Sequence, residues 1–165
     1  MTSEFVHLHN HSDYSLLDGA QQVQQLVNTI DDLNMDSLAL TEHGNMFSVV
    51  PFYQKAKKAG INPIIGCETY VAVGSRHDKK LQPGGGWGNN HLILLVQNQI
   101  GYENLMKLVT AGYLEGFYYR PRIDMDLLEK HSEGLVCLSG CLKGEIPEKM
   151  LNGDYNGARD AALKY

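Results

Sequence analysis

The first 50 residues contain no lysine and no arginine, although they hold seven of the 19 acidic residues. Residues 51–165 hold all 14 basic residues together with the other 12 acidic ones. Nucleic-acid backbones are bound mainly through Lys and Arg, so this absence argues against a basic nucleic-acid patch in the first third of the chain. Four of the seven histidines lie in this acidic third: His7, His9, His11 and His43.

Cysteine is also scarce, and long apolar runs are missing. The three cysteines (Cys67, Cys137 and Cys141) are an odd number without a CxxC pair, which argues against a disulfide framework and favours a reducing cytoplasm. Cys67 and Cys137 adjoin apolar runs and are expected to be small buried hydrophobes. No apolar run approaches the ~20 residues of a bilayer span, and the start of the chain lacks the pattern of a signal peptide, so we expect no membrane contact.

Short apolar runs alternate with amphipathic stretches, which predicts an α/β fold. Strands are predicted at residues 5–9, 37–41, 61–65, 69–73, 92–96 and 135–138. Helices are predicted at residues 23–33, 47–59, 102–115, 124–131, 145–151 and 158–165. The polar, Gly-rich residues 74–90 are predicted to be a loop; its GGGWG run lacks the GK[ST] ending of a phosphate loop. Repeated β-then-α units indicate a parallel sheet or barrel with helices outside.

The chain is expected to be one domain, residues 1–165, within a longer protein. Its 165 residues suffice for one hydrophobic core, and neither a repeat nor a linker divides them. The last predicted helix, residues 158–165, has neither a cap nor a following strand.

The strongest chemical signal is the run His7-Leu8-His9-Asn10-His11. Alternation along a strand would put the three imidazoles on one face, where neutral imidazoles can bind Zn²⁺, Mn²⁺ or Fe²⁺. A polar surface strand is the simpler alternative.

Other candidate metal ligands follow predicted strands and loops, and they favour a metal site over a polar surface strand. Residues just past the carboxyl ends of strands meet at one mouth of a β/α barrel. His43, Glu68 and Cys141 each follow a predicted strand, and Asp18 follows His11 by seven residues. Mixed His and carboxylate ligands suit a multinuclear site that activates water for phosphoryl chemistry.

Other polar residues have simpler interpretations. By position alone His91 precedes its strand and is expected to be a cap or a surface residue, His77 lies in a charged loop, and His131 ends a helix. Ser15 lacks the partners of a nucleophilic serine. The run of residues 118–122, YYRPR, could contact a nucleic-acid backbone or pack against a neighbouring domain, and packing is slightly preferred.

Taken together, the motifs resemble the PHP domain, named after polymerases and histidinol phosphatase. They are the His9-x-His11 pair, LDG at 17–19, TEHGN at 41–45, GCE at 66–68, HLILL at 91–95 and SGCL at 139–142. The segments GYENL at 101–105 and EGFYYRPRID at 115–124, with Phe47 and Tyr53, resemble the PHP domains that begin bacterial DNA polymerase III alpha subunits. No single motif is specific, but their order and spacing are.

The resemblance implies a distorted (β/α)₇ barrel, C-terminally incomplete in this chain, with a cleft for up to three divalent metal ions, zinc or manganese. The implied metal ligands are His9, His11, Asp18, His43, Glu68, His91 and Cys141. The first five of these are also the implied catalytic residues, and His7 becomes a flanking residue. The late Asp-x-His motif of the family has no match here, and polymerase catalytic aspartates lie further downstream in such proteins.

Three functions remain open. The domain could be a metal-dependent 3′–5′ exonuclease within a replicative polymerase whose partners are DNA, its own remaining domains and other polymerase subunits, the fragment alone being inactive. It could instead be a catalytically silent brace for the polymerase. It could also be a stand-alone PHP phosphatase acting on a phosphomonoester, although the segments at 101–105 and 115–124 favour the polymerase.

Overall fold

The computed structural model describes residues 5–16, 18–80 and 88–165. The strands are β1 (Ser37–His43), β2 (Asn62–Ala72), β3 (Asn89–Val96), β4 (Arg122–Ile123) and β5 (Leu135–Leu138). The helices are α1 (Val23–Asp32), α2 (Val49–Lys58), α3 (Gln99–Leu114), α4 (Met125–Lys130), α5 (Glu145–Leu151) and α6 (Tyr155–Lys164). These elements confirm the α/β class and all six predicted helices, with shifts of a few residues at their ends. The GGGWG run lies largely outside the described residues.

The sheet is mixed, so the expectation of parallel pairing throughout is wrong. β2 pairs parallel with β1 and, through two residues, with β4. β3 runs antiparallel to β2, and β5 runs antiparallel to β3. A parallel neighbour needs a crossover, usually a helix, whereas residues 73–80 and 88 between β2 and β3 hold no helix. The chain therefore returns directly beside β2 in the opposite direction.

The strand β2 is continuous, where the sequence predicted two strands separated by residues 66–68. Its first half pairs with β1 and its second half with β3, and the two ladders overlap at residues 66–68. Gly66 permits this close packing, because a Cβ atom there would lie 2.7 Å from the Leu94 carbonyl oxygen and 2.8 Å from Thr41 Cγ2. The glycine that resembled a strand terminator is a site of close approach within the sheet.

The predicted strand at residues 5–9 is not a regular strand. The segment nevertheless lies along β1, because the N–H of Ala39 donates to the His7 carbonyl and the N–H of Thr41 donates to the Asn10 carbonyl, both at 2.9 Å. Two bonds fix its path without forming a ladder.

One face of the sheet packs on helices. The other carries a small apolar cluster (Ala39, Ile93 and Leu95) and, where β1 ends, the polar side chains of His43, Glu68 and His91. On the first face, α1 and α2 pack around Val27, Phe52 and Leu40, while α3 packs on Leu94 and Cys67. Alternation along the strands puts three sets on the opposite face: residues 39, 41 and 43 of β1, residues 66, 68 and 70 of β2, and residues 91, 93 and 95 of β3. Among the described residues, no helix combines the length and apolarity that a bilayer span requires.

The segment at 115–124 is held by a buried ionic network. Arg122 is buried and donates to the carbonyls of Gly116, Arg76 and Asp78. Asp124 accepts from the Arg76 guanidinium and the Arg76 backbone N–H at 2.9–3.0 Å, and from the Leu127 N–H at the start of α4. Burial alone would raise the pKa of Asp124, but these donors lower it. Its stabilising effect is therefore present at neutral pH and is lost as the pH falls through the lowered pKa.

Asp124→Ala should unfold this corner locally. Removing one partner leaves Arg76 without its buried counter-charge and α4 without its cap, a cost of about 3 kcal/mol, or roughly a hundredfold loss of protection. Hydrogen exchange of the α4 amides, measured by mass spectrometry, checks this. The exposed Asp126→Ala, two residues away, is the control and should change protection by less than about fivefold. Equal effects from the two variants would contradict the assignment.

Candidate metal centre

Four imidazoles surround one buried carboxylate, that of Glu68, which is 1% exposed. His9 Nε2 lies 2.6 Å from Glu68 Oε2, and His11 Nε2 lies 3.4 Å from the same oxygen. His91 Nδ1 lies 2.6 Å from Oε1, and His43 Nδ1 lies 2.9 Å from it. Both carboxylate oxygens therefore face histidine nitrogens.

The sheet register creates this arrangement. His43 ends β1 and pairs with Glu68 in the middle of β2, so the prediction that Glu68 follows the end of its strand is wrong. His91 pairs with Tyr70, two residues further along β2 and on the same face. Because β3 runs antiparallel, its first residues lie where β1 ends. The interpretation of His91 as a cap or surface residue, made from position alone, is therefore wrong.

The segment before β1 brings His9 and His11 to Glu68. Asn10 between them is fixed to β1: its N–H donates to Thr41 Oγ1 at 3.1 Å and its side chain donates to the Ala39 carbonyl at 3.1 Å. With Asn10 held on the strand, both neighbouring imidazoles point into the cluster. The His11 ring stacks on that of His43 with centroids 3.9 Å apart.

His7 does not join the cluster, against the expectation that three alternating imidazoles share a face. Its ring packs edge-on against Phe5 at 4.8 Å. The segment is irregular rather than a strand, so strict alternation does not extend back to His7. It is a flanking residue here.

Asp18 and Cys141 lie at the exposed rim of the cluster. Asp18 Oδ2 is 2.9 Å from His43 Nε2, so His43 lies between two carboxylates. Cys141 Sγ is 3.8 Å from His91 Nδ1. Cys141 follows β5, which is parallel to β2, and so reaches this end of the sheet as predicted. Leu17 of the LDG motif lies outside the described residues.

Glu42 is a buried organising residue that the sequence analysis missed. It accepts hydrogen bonds from the hydroxyls of Ser12, Ser15 and Ser48 and from the Ser12 N–H. The Ser15 hydroxyl in turn accepts from the His43 N–H at 3.0 Å. Glu42 therefore holds the loop that leads from His11 toward Asp18. The same bonds bury Ser15 and exclude it as a free nucleophile, in agreement with the sequence.

The polar atoms of the cluster suit a cation. Burial opposes ionisation of Glu68, but contacts with His11, His43, His9 and His91 outweigh it and hold the pKa of this carboxyl far below its ordinary value. Contact with Glu68 raises the pKa of His43. Three of the buried atoms make no hydrogen bond of good geometry despite their proximity: His11 Nδ1, His43 Nδ1 and Glu68 Oε1. A bound ion is one explanation of buried polar atoms that lack a hydrogen-bond partner.

Three residues could hold one ion together. Donor atoms of His9, His11 and Glu68 all lie within 4.8 Å of one another. Imidazole nitrogen and carboxylate oxygen are ligands for Zn²⁺ and also suit Mn²⁺ and Fe²⁺. The residues present thus fit a divalent metal ion.

The other histidines lie apart. His77 is exposed and 4.0 Å from Glu115, and His131 follows the last residue of α4, both as predicted. Of the YYRPR run, Arg122 is buried with its guanidinium 5.3 Å from the Tyr118 ring centroid, whereas Arg120 is exposed.

The fold and the cluster together define an α/β domain whose clustered side chains are of the kinds that bind divalent metal ions. A family model for the PHP domain matches residues 7–165, and the chain belongs to this family.

Relatives and solved structures add context. The chain is 53% identical to the DNA polymerase III subunit alpha of Borreliella burgdorferi over 98% of its own length, and 48% identical to that of Thermus aquaticus over 90%. It spans only 14% and 12% of these relatives. A solved protein of Bifidobacterium adolescentis, described as a metal-dependent phosphoesterase, aligns with a TM-score of 0.47 at 14% identity, covering 68% of this chain and 34% of that one.

Glu42→Gln should loosen the loop before Asp18. An amide can still accept, but it replaces one acceptor oxygen with a donor that faces serine hydroxyls and an N–H, and it loses the charge that strengthens these bonds. We expect exchange of the amides at residues 12–16 to accelerate by about tenfold or more. Glu103→Gln, the same change on the exposed surface of α3, should leave it unaltered. Unaltered exchange in both variants would show that Glu42 does not hold the loop.

Proposed function

We propose that this chain holds divalent metal ions at the Glu68 cluster and that this site hydrolyses phosphodiester bonds. The observation that carries the proposal is the buried carboxylate of Glu68, whose two oxygens have four histidine nitrogens within 3.4 Å. The proposed ligands are the seven residues of the cluster and its rim: His9, His11, Asp18, His43, Glu68, His91 and Cys141. Zinc or manganese is the proposed metal.

The roles of the side chains follow from their positions. When bound, divalent metal ions supply a hydroxide nucleophile at neutral pH and neutralise the charge of a phosphoryl transition state. Glu68 offers both oxygens to separate sets of imidazoles, which suits it to hold more than one ion. Asp18 and Cys141 lie at the exposed rim of the cluster, so a metal ion held by them would be accessible to a substrate. Seven donors exceed the four of one tetrahedral ion, so we propose a multinuclear site of up to three ions.

The similarity to polymerase subunits supports a biological setting. We propose that residues 1–165 are part of a replicative DNA polymerase III alpha subunit, with the remaining domains of that chain, other polymerase subunits and DNA as partners. The site would then act as a 3′–5′ exonuclease on the polymerase product. Relatives of 48–53% identity favour this setting over a stand-alone phosphatase.

A second function, a structural brace, is favoured by one observation. Glu68 lies where β1, β2, β3 and the 9–11 segment meet, so an ion there would tie four segments together. Metal binding to such a site contributes to folding, whether or not the site turns over substrate.

Loss of a ligand should remove both metal and hydrolysis. In the full-length protein, His9→Ala or Glu68→Gln is expected to lower bound metal, measured by mass spectrometry of the eluted ions, and to reduce phosphodiesterase turnover by about a hundredfold or more. His77→Ala and Glu103→Gln are the matched controls, since both lie outside the cluster. Wild-type turnover in highly purified His9→Ala protein would refute the proposal.

Chelation separates the enzyme from the brace. Stripping the metal should lower the unfolding temperature in either case, because an ion bound only to the folded state stabilises it. If the site is catalytic, hydrolysis of a 3′-labelled oligonucleotide stops on chelation and returns when Zn²⁺ or Mn²⁺ is added. Metal-dependent stability with no turnover under any metal would establish the brace and exclude the exonuclease.

A further inference from the structure

The cluster opens into a large cleft that is lined by aromatic and cationic side chains as well as by donors. Its volume is about 1190 Å³, above the ~300–1,000 Å³ typical of pockets for small ligands. Its lining includes His43, His91 and Asp18 of the cluster and also Phe47, Tyr113 and Arg120.

Arg120 is a cation without a carboxylate partner. Within the described residues no carboxylate lies within ion-pair distance of it, whereas Arg76 pairs with two. Its guanidinium lies 5.6 Å from the centroid of the Tyr70 ring, and that ring lies edge-on to His91 at 5.1 Å. The Tyr70 ring thus contacts both Arg120 and His91, so one aromatic ring separates Arg120 from the cluster.

A strained turn sets this position. Tyr119 has φ 58°, a left-handed conformation that costs a non-glycine residue roughly 1–2 kcal/mol, and the Tyr118 N–H donates to the Arg120 carbonyl across it. Pro121 then packs so closely on Gly44 that a Cβ there would lie 2.7 Å from its ring. The turn separates the two arginines: Arg122 enters the interior, and Arg120 faces the cleft.

Three exposed aromatic rings contact one another in a row, and two of them, Phe47 and Tyr113, line the cleft. Phe47 and Tyr113 have ring centroids 6.4 Å apart, and Tyr113 and Phe117 stack at 6.2 Å with a 27° angle between planes. Phe47 is 66% exposed and Phe117 is 47% exposed. Unpaired nucleic-acid bases stack on such rings irrespective of sequence, while duplex bases cannot reach them.

We propose that this cleft binds the unpaired 3′ end of a nucleic-acid strand, with the phosphate next to the scissile one on Arg120 and bases stacked on Phe47 and Tyr113. This inference rests on the proposed phosphodiesterase and specifies its substrate. Arg120 is a substrate-positioning residue. The lining also contains Asp13, Asp18 and Glu148, so among the described residues Arg120 and Lys143 are its only side chains that suit a phosphate. The free guanidinium of Arg120 beside the rings of Phe47 and Tyr113 therefore identifies the occupant as a strand that offers both a phosphate and unpaired bases.

The kinetic test compares two substrates in the full-length protein. One is a single-stranded oligonucleotide labelled at its 3′ end, and the other is bis(p-nitrophenyl) phosphate, which has no second phosphate and no base. Arg120→Gln should raise KM for the oligonucleotide about tenfold more than for the small diester. The slope of log KM against log salt concentration should also fall by about one released counterion. Arg120→Lys should restore part of the difference. Arg159→Gln, the same change at an exposed site on α6, should affect neither substrate.

Cross-linking provides a readout that does not need turnover. An oligonucleotide with 4-thiothymidine at its 3′ end, irradiated with the protein in a chelator, should attach to peptides containing Phe47 or Tyr113. Tyr113→Ala should reduce the yield severalfold. Tyr155→Ala, an exposed tyrosine outside the cleft, should not.

The outcomes separate the two proposals. If wild-type protein hydrolyses neither substrate, the proposed function fails. If it hydrolyses both but Arg120→Gln behaves as Arg159→Gln does, the inference fails and the phosphodiesterase stands. If Tyr113→Ala lowers the unfolding temperature of the full-length protein while cross-links map elsewhere, the aromatic row packs against another domain, and the inference is overturned.

Discussion

The buried carboxylate of Glu68 is the constraint on which the rest of the structure depends. An ionised carboxylate that is 1% exposed is costly unless positive charge or hydrogen-bond donors surround it. Here four imidazoles from three separate segments supply the surroundings. The pairing of β1, β2 and β3 and the course of residues 9–11 along β1 all serve to bring these rings to one point.

The two buried glutamates, Glu42 and Glu68, have different roles because neighbouring residues of a strand face opposite sides of the sheet. His43 lies on the open face of the sheet beside Glu68, whereas Glu42, one residue earlier, points away and is saturated by serine hydroxyls. Glu42 fixes the loop from His11 to Asp18 by hydrogen bonds, and Glu68 contacts the four imidazole rings of the cluster. Serine hydroxyls satisfy Glu42, whereas Glu68 Oε1 makes no hydrogen bond of good geometry to the nitrogens beside it.

The sequence predicted the helices and most strands well, because their apolar periodicity is strong. It predicted part of the site: His43 and Cys141 follow strands, and the carboxyl ends of those strands do share an edge. It did not predict that β3 is antiparallel to β2, which is what brings His91 to the cluster. The predicted loop at 74–90 contains no predicted helix and favours a hairpin over a crossover. Glu68 looked like a strand end because Gly66 normally interrupts strands. Nothing in the pattern around Glu42 indicated its serine partners, two of which, Ser12 and Ser15, come from a loop 27–30 residues earlier.

The order of the segments along the chain has a consequence for how the domain is made. His9 and Glu68 are separated by 59 residues, so they meet only after β1 and β2 have paired over that distance. During synthesis at ~5–20 residues/s, His9 and His11 leave the ribosome about 3–12 s before Glu68 does. For that interval the His-x-His pair of the nascent chain lacks its carboxylate neighbour. The complete set of donor atoms therefore exists only in the paired sheet.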